Sequence, residues 1–312
     1  MVHALYRTAY FTVLFLAFGL ISPSSGGEGV PVAVVVSQDS GPYRETLAGF
    51  QKYLRSVGFA ADVSVFTLTD DPSSAEQAIE GAQKNRPALF FTLGTVATRA
   101  VLEKIRNTPV IYGMVMRPDK LEYQTNATGV SLEFPVDTQF RMLRRLLPNV
   151  RTVGVIYNPE ENMKAVDAAS AAAREMGLRL SAHEVFAPRD LPSAMANLSK
   201  DADVLWGLAD SMVINVQTAK QILLFSHRYR IPFIGLSEAW VKSGALYALD
   251  RDYADIGAQC AELAVRVSKG ANAGAISPVA PRKVVYSLNM KTAERMKVRI
   301  PEALLKGAHQ VY

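Results

Sequence analysis

The sequence predicts an α/β protein of two doubly wound lobes, each a parallel sheet covered by helices, with a cleft between them. Three observations predict this. Short β-branched runs alternate with amphipathic helical stretches. The strand-like runs are almost continuously apolar, as strands buried on both faces are. The order of elements in the first half then recurs in the second.

In the first half, residues 32–36 (VAVVV) read as a strand that ends at Ser37 and runs into the polar loop Gln38, Asp39, Ser40 and Gly41. Leu47, Phe50, Leu54 and Val57 then recur at helical spacing and Gly58 closes the helix, before a second strand over 61–68. In the second half, residues 152–157 (TVGVIY) end at Asn158. A helix over 163–176 stops at Gly177 and leads into a strand over 178–185. The match continues. Residues 88–94 parallel 203–209, helices follow over 95–105 and 211–229, and proline-started strands follow at 109–115 and 232–236. Right-handed crossovers make each half a doubly wound lobe.

The 312 residues are enough for two such units, each with its own core. Composition excludes disordered, collagenous and disulfide-framework classes: the chain is 49% hydrophobic and 20% charged, with a single cysteine. Cys260 sits in a helix-like run and reads as a buried structural thiol. The net charge is +5 with a pI near 9.2, but basic residues are interspersed with acids, so nucleic acid is not an expected partner.

Residues 9–21 (AYFTVLFLAFGLI) carry no charge, follow His3 and Arg7, and precede the small residues Ser22 to Gly27. That order is the pattern of a secretory leader over 1–27. Thirteen residues rise about 20 Å as a helix, too short for a hydrocarbon core of about 30 Å. No cysteine follows the run, so a lipid anchor is not expected, and the mature chain is expected to be periplasmic.

Ligands of open parallel sheets sit beyond the carboxyl ends of the strands. The polar strand-end residues are Ser37 and Gln38, Gly94 and Thr95, Asn158, Asp210 and Ser211, and Ser237 and Glu238. If the lobes face each other by those edges, all of them border the cleft.

Several stretches in order resemble one family: TLGTVATRAV (92–101), NATGVSL (126–132), LLPNVRTVGVIYNPEEN (146–162) and REMGLRL (174–180). ADSMV (209–213), RIPFIGLSEAWVKSGALYAL (230–249), DYADIGAQCAELAVRVSKG (252–270) and IPEALLKGA (300–308) continue the series. From residue 32 to the end the chain resembles ABC-transporter substrate-binding proteins, in the branch whose better-known members bind aromatic amino acids such as tryptophan. The resemblance implies a bilobal fold of periplasmic-binding-protein type I-like form. It implies three chain crossings, near 128–133, 248–252 and 284–290, that act as a hinge beside the interlobe cleft. The first lobe would comprise 28–128 plus 251–285, and the second 129–250 plus 286–312. It also implies a small-molecule ligand, an ABC permease as partner, a monomeric chain, and closure of the lobes rather than catalysis.

The candidate ligand-binding residues divide by chemistry. Gly94, Thr95, Val96 and Ala97 open a helix, whose free amides and positive dipole end suit a carboxylate; a Thr cap is the plain alternative. Asp210 is placed to accept from a ligand ammonium, or to cap a helix beginning at Ser211. Asn158 and Asn162 are expected either to hydrogen-bond the ligand or to clasp their own loop. Met116 and Arg117 stand where related members carry an Asp-Pro pair. A guanidinium there favours a carboxylate or phosphate over an ammonium, unless it points to water or pairs with Glu133. The expected ligand is therefore small and polar or anionic, an amino acid or carboxylate.

Four separated histidines without paired spacing argue against a metal site, and no cofactor is expected. Neither a G-x-S-x-G elbow nor a phosphate-binding G-x-x-x-x-G-K-[ST] loop is present. Two other readings compete: a ligand sensor that passes closure to a membrane receptor or kinase, and a cleft hydrolase.

Overall fold

A computed structural model describes residues 29–312 apart from Tyr123; the expected leader at 1–27 lies outside the described residues. The first sheet contains β1 (Val30–Val36), β2 (Ala61–Thr67), β3 (Leu89–Leu93), β4 (Val110–Val115) and β5 (Ala127–Ser131). Its order is β2-β1-β3-β4-β5 and every pairing is parallel. Helices α1 (Gly41–Ser56), α2 (Ser74–Lys84) and α3 (Thr95–Lys104) make the crossovers.

The second sheet contains β6 (Thr152–Tyr157), β7 (Arg179–Glu184), β8 (Val204–Trp206), β9 (Phe233–Gly235) and β10 (Tyr247–Arg251). It is extended by β11 (Val284–Leu288) and β12 (Gln310–Val311), giving the order β12-β11-β10-β9-β8-β6-β7. The run β7-β6-β8-β9-β10 repeats the order of the first sheet. Around it lie α4 (Val136–Leu146), α5 (Pro159–Glu175), α6 (Leu191–Leu198), α7 (Val216–Tyr229) and α8 (Glu238–Ser243). The short α10 (Met290–Met296) and α11 (Glu302–Lys306) follow β11.

One helix, α9 (Tyr253–Ser268), follows a second-sheet strand but completes the first lobe. Its Cys260 and Ile256 share a core with Phe50 of α1 and Phe91 of β3, whose rings stack with centroids 4.1 Å apart. Burial pushes the Cys260 thiol well above its ordinary range, so it packs as an inert apolar group. Helices α1 and α9 meet backbone to backbone. A Cβ built on Gly49 would stand 2.0 Å from the Ala254 carbonyl oxygen, and one on Gly257 would stand 1.9 Å from that of Thr46. Only glycine permits that approach.

Between the two sheets the chain crosses after β5, between β10 and α9, and before β11. Arg282 and Lys283 of the last crossing bind the start of α9. Arg282 grips Asp255 with Nε at 3.0 Å and Nη2 at 3.0 Å and reaches Glu262 at 2.8 Å, and Lys283 lies 3.1 Å from Asp252. The carboxylate of Asp252 also caps α9 through the Asp255 amide.

The structure departs from the sequence expectations in the lobe boundaries, in one strand direction and in the start of α7. Three lobe boundaries fall inside strands: β5 stays in the first sheet through Ser131, β10 stays in the second through Arg251, and β11 belongs to the second from Val284, so the last crossing lies just before 284. The second sheet is not wholly parallel, because β11 runs antiparallel to β10. The chain leaves the second lobe at the end of β10 and re-enters at the same edge, so β11 must run back. Finally, no α-helix starts at Ser211. Residues 211–215 form turns, and α7 starts at Val216 behind an Asn215 cap whose side chain accepts from the Gln217 and Thr218 amides.

Candidate functional site

The loops at the carboxyl ends of the two sheets face each other. On the first lobe, Gly94 caps α3 with φ +91°, a conformation in which glycine is unstrained. A Cβ there would stand 2.5 Å from Ser37 Oγ and 2.7 Å from the Tyr43 hydroxyl. Thr95 is therefore the first helical residue and not the cap. The Ser37 hydroxyl reaches over from β1 and accepts from the Ala97 amide at 2.9 Å. Ser37 has thus taken one of the amides that the helix start offers to a carboxylate. Ala97 is buried, Val96 is 63% exposed at the rim, and Gln38 is exposed on the loop beyond Ser37.

On the second lobe, Asp210 is 3% exposed and all its acceptor directions are used. Oδ2 accepts from the Asn158 amide at 2.7 Å and Asn162 Nδ2 at 2.8 Å, and Oδ1 accepts from the Met212 and Val213 amides at 3.0 and 2.9 Å. Asn158 caps α5 through the Glu160 amide at 3.1 Å, and Asn162 Nδ2 also donates to the Ala209 carbonyl. Ser211 donates from its amide and hydroxyl to Glu161 at 3.0 and 2.7 Å. These residues clasp the loop after β6 to the loop after β8. Asp210 is the knot of that clasp.

Arg117, after β4, reaches across from the first lobe. Its Nη1 donates to Asn162 Oδ1 at 3.0 Å and its Nη2 to the Glu161 carbonyl at 3.5 Å. Its Nε lies 3.6 Å from Asp119 and 3.8 Å from Glu133. Arg117, Asn162, Asp210 and Asn158 therefore form one connected chain of polar contacts spanning both lobes.

Beneath Met116 lies a cavity of about 80 Å³ whose wall draws on the second sheet and two crossings. Leu143, Trp206, Leu208, Ile234, Leu236, Tyr247 and Leu249 make it apolar, and Glu133, Phe134, Gln139 and Arg251 close it. Trp206 is held by its indole N–H donating to Gln139 Oε1 at 2.9 Å and by an edge contact with Phe140. Burial raises the Glu133 carboxyl above the ordinary carboxylate range against the pull of Arg117 and Arg251. Burial likewise lowers the Arg251 guanidinium from its usual value.

Of the candidates, Met116 borders this cavity, while Arg117, Asn158, Asn162 and Asp210 gather beside it. Ser37, Gly94, Thr95, Val96 and Ala97 form a separate group at the carboxyl ends of β1 and β3. Ser237 precedes α8 without a side-chain cap bond, and Glu238 turns aside to Lys242 at 2.9 Å and to the hydroxyl of Tyr312. Sequence reasoning missed Trp206, Tyr247 and Arg251. Apolar residues at strand ends look like core, and only the placement of one of the two tryptophans (Trp206) beside a strand-end glycine hinted otherwise. Among the described residues no group of three or more His, Cys, Asp or Glu side chains gathers to hold a metal.

The profile of the ABC transporter substrate binding protein family matches residues 29–312. The chain belongs to this family. A curated relative, the tyrosine-binding protein of Clostridioides difficile, is 24% identical over 73% of this chain and 69% of its own. Two solved structures share the fold of this ABC substrate-binding protein. A ligand-free, open substrate-binding protein with adhesive properties from Clostridium difficile is 20% identical, with a TM-score of 0.75, covering 90% of this chain and 98% of that one. An ABC domain from Streptococcus pneumonia in complex with L-Trp is 22% identical, with a TM-score of 0.60, covering 90% and 100%. Among the described residues no helix is long and apolar enough to cross a membrane.

Proposed function

We propose that this substrate-binding protein is the extracytoplasmic capture subunit of an ABC importer, exported by the leader at 1–27 and acting as a monomer. Its ligand is an α-amino acid whose apolar side chain enters the cavity under Met116. The observation that carries the reading is that one cavity is walled by a first-lobe loop, the second sheet and two crossings at once. A ligand seated there touches everything that moves when the lobes rotate, so its contacts favour the closed arrangement. The permease then reads the closed shape. No covalent step is required of any residue.

The tyrosine-binding and L-Trp-bound relatives support the amino-acid class. The guanidinium of Arg117 is engaged across the cleft and flanked by two carboxylates, which removes the reason to prefer a purely anionic ligand. The apolar wall calls for an apolar body. The cavity of about 80 Å³ is roughly half the 150 Å³ of an engineered cavity that takes benzene. In this conformation it suits an aliphatic side chain, and a ring enters when Leu143 or Trp206 gives way.

Thermal-shift and calorimetric screening against the twenty amino acids, succinate and inorganic phosphate tests the reading. An amino acid at a hundredfold excess over its Kd stabilises the chain by about 2.7 kcal/mol, and small-angle scattering shows contraction. Stabilisation by phosphate or succinate alone, or binding without contraction, sinks it.

A further inference from the structure

Two charged side chains, Arg251 and Glu133, stand in the cavity wall, and among the described residues neither the Arg251 Nη atoms nor the Glu133 carboxylate makes a hydrogen bond. Arg251 ends β10 at the second crossing. Its Nε donates to the Leu132 carbonyl at 2.8 Å, and its guanidinium lies over the Phe134 ring at 4.9 Å. These two contacts fix the plane of the fork. Among the described residues nothing hydrogen-bonds Nη1 or Nη2. The neighbouring Asp250 is turned elsewhere, accepting from the Arg251 amide and the Tyr253 hydroxyl. Glu133 stands on the first crossing, where its amide donates to Ser131 Oγ. Its closest cation is Arg117 Nε at 3.8 Å, beyond hydrogen-bond reach. A half-buried carboxylate and a guanidinium with an open fork in one apolar wall are costly to desolvate unless something pairs with them.

Resting on the amino-acid reading above, we propose that Arg251 takes the ligand carboxylate in its Nη1/Nη2 fork and Glu133 takes the ligand ammonium. The planar fork matches a carboxylate with two parallel bonds. The separation of roles follows from the chemistry: a zwitterion presents an anion and a cation a few bonds apart, and this wall presents the complementary pair with an apolar pocket beside it. Both groups sit on crossings and not on the lobe rims. Recognition of the ligand's charged ends is therefore also a bond between the two strands of chain that must bend for the lobes to rotate.

Titration calorimetry on the full chain tests the assignment with L-leucine, L-tyrosine and L-tryptophan, and with 4-methyl-2-oxopentanoate, which keeps leucine's carboxylate and lacks its ammonium. Arg251→Gln weakens binding of the tightest amino acid by about a hundredfold, as expected when one partner of a desolvated charge pair is removed, and Arg251→Lys restores only part of it. Glu133→Gln weakens the amino acid and leaves the keto acid unchanged or tighter, a split that loss of structure would not produce. Circular dichroism and thermal midpoints confirm that each variant is folded; if Arg251→Gln is not, the split in Glu133→Gln decides. Both variants binding the amino acid within twofold of wild type overturns the assignment while leaving the amino-acid reading in place. So does equal loss of both ligands in Glu133→Gln. Failure of the wild type to bind any amino acid removes both.

Discussion

Arg117 Nη1 lies 3.0 Å from Asn162 Oδ1, and this hydrogen bond joins the loop after β4 to the first turn of α5 across the space between the lobes. Asn162 is 1% exposed and fixed by two further bonds, so the fork of Arg117 meets a rigid acceptor. The contact exists only while the lobes stand this close. On the lobe closure proposed above it serves as a latch, and its strength would set how the chain divides its time between open and closed arrangements.

Arg117→Ala removes a charge-assisted bond worth about 1.5–3 kcal/mol, so the balance moves toward the open form by roughly tenfold or more. Scattering of the ligand-free variant shows a larger radius of gyration than wild type. An unchanged radius means that the latch does not bear on the equilibrium.

Asp210→Asn keeps the shape of the side chain but turns one acceptor oxygen into a donor facing amides that also donate. We expect a loss of about 1–3 kcal/mol, read as a fall of several degrees in Tm for a chain of this size. A direct role in holding the ligand ammonium predicts a large affinity loss with little change in Tm. The observed bonding predicts the reverse order.

Glu133 gives a pH signature with a definite sign. Its carboxyl is raised by burial, so the folded state holds its proton at pH values where the unfolded chain has released it. The group therefore favours the folded state while protonated, and this contribution is lost as pH rises through its folded pKa. Glu133→Gln removes that slope above about pH 4.3, the ordinary glutamate value. Thermal midpoints measured from pH 4 to 8 show the wild-type advantage at the acidic end, or the variant's at the neutral end, if the sign is right.

Gly49→Ala forces a methyl into the Ala254 carbonyl and must push α1 from α9. Overpacking of this kind costs about 1–3 kcal/mol. Because α9 carries the chain into the first lobe, the variant also loosens Asp255 and the Arg282 grip. Faster hydrogen exchange in α9 than in α5 reports it.

Much of the fold was legible because the strand runs are short, apolar and repeated in order. The strands at 32–36, 109–115 and 152–157 carry their own punctuation in Ser37, Pro109 and Asn158. The start of α7 was not legible, since Asp210 and Ser211 form an acceptable cap pair and only the capping box of Asn215 with Thr218 shows where the helix begins. The antiparallel β11 was hidden because direction is set by which edge the chain re-enters, a property of topology and not of local composition. At the candidate site, the polar loop residues were visible as types. Their division of labour was not, because whether Asp210 faces a ligand or internal donors depends on Asn158 and Asn162, 52 and 48 residues away in sequence, as well as on its neighbours Met212 and Val213. Arg251 escaped notice because it ends a strand, where a cation reads as an ordinary edge residue.

The late arrival of α9 has a consequence during synthesis. The first lobe's five strands and three helices are complete by Ser131, yet the helix that seals Phe50 and Phe91 follows only after the whole run from β6 to β10 has been made. Until then the glycine-notched side of α1 lacks its partner helix, and the early half of the molecule is an unfinished shell. Closing so long a loop adds little entropic cost beyond that of a short one, but it imposes an order: the first lobe can reach its native packing only after the strands β6 to β10 of the second have been made.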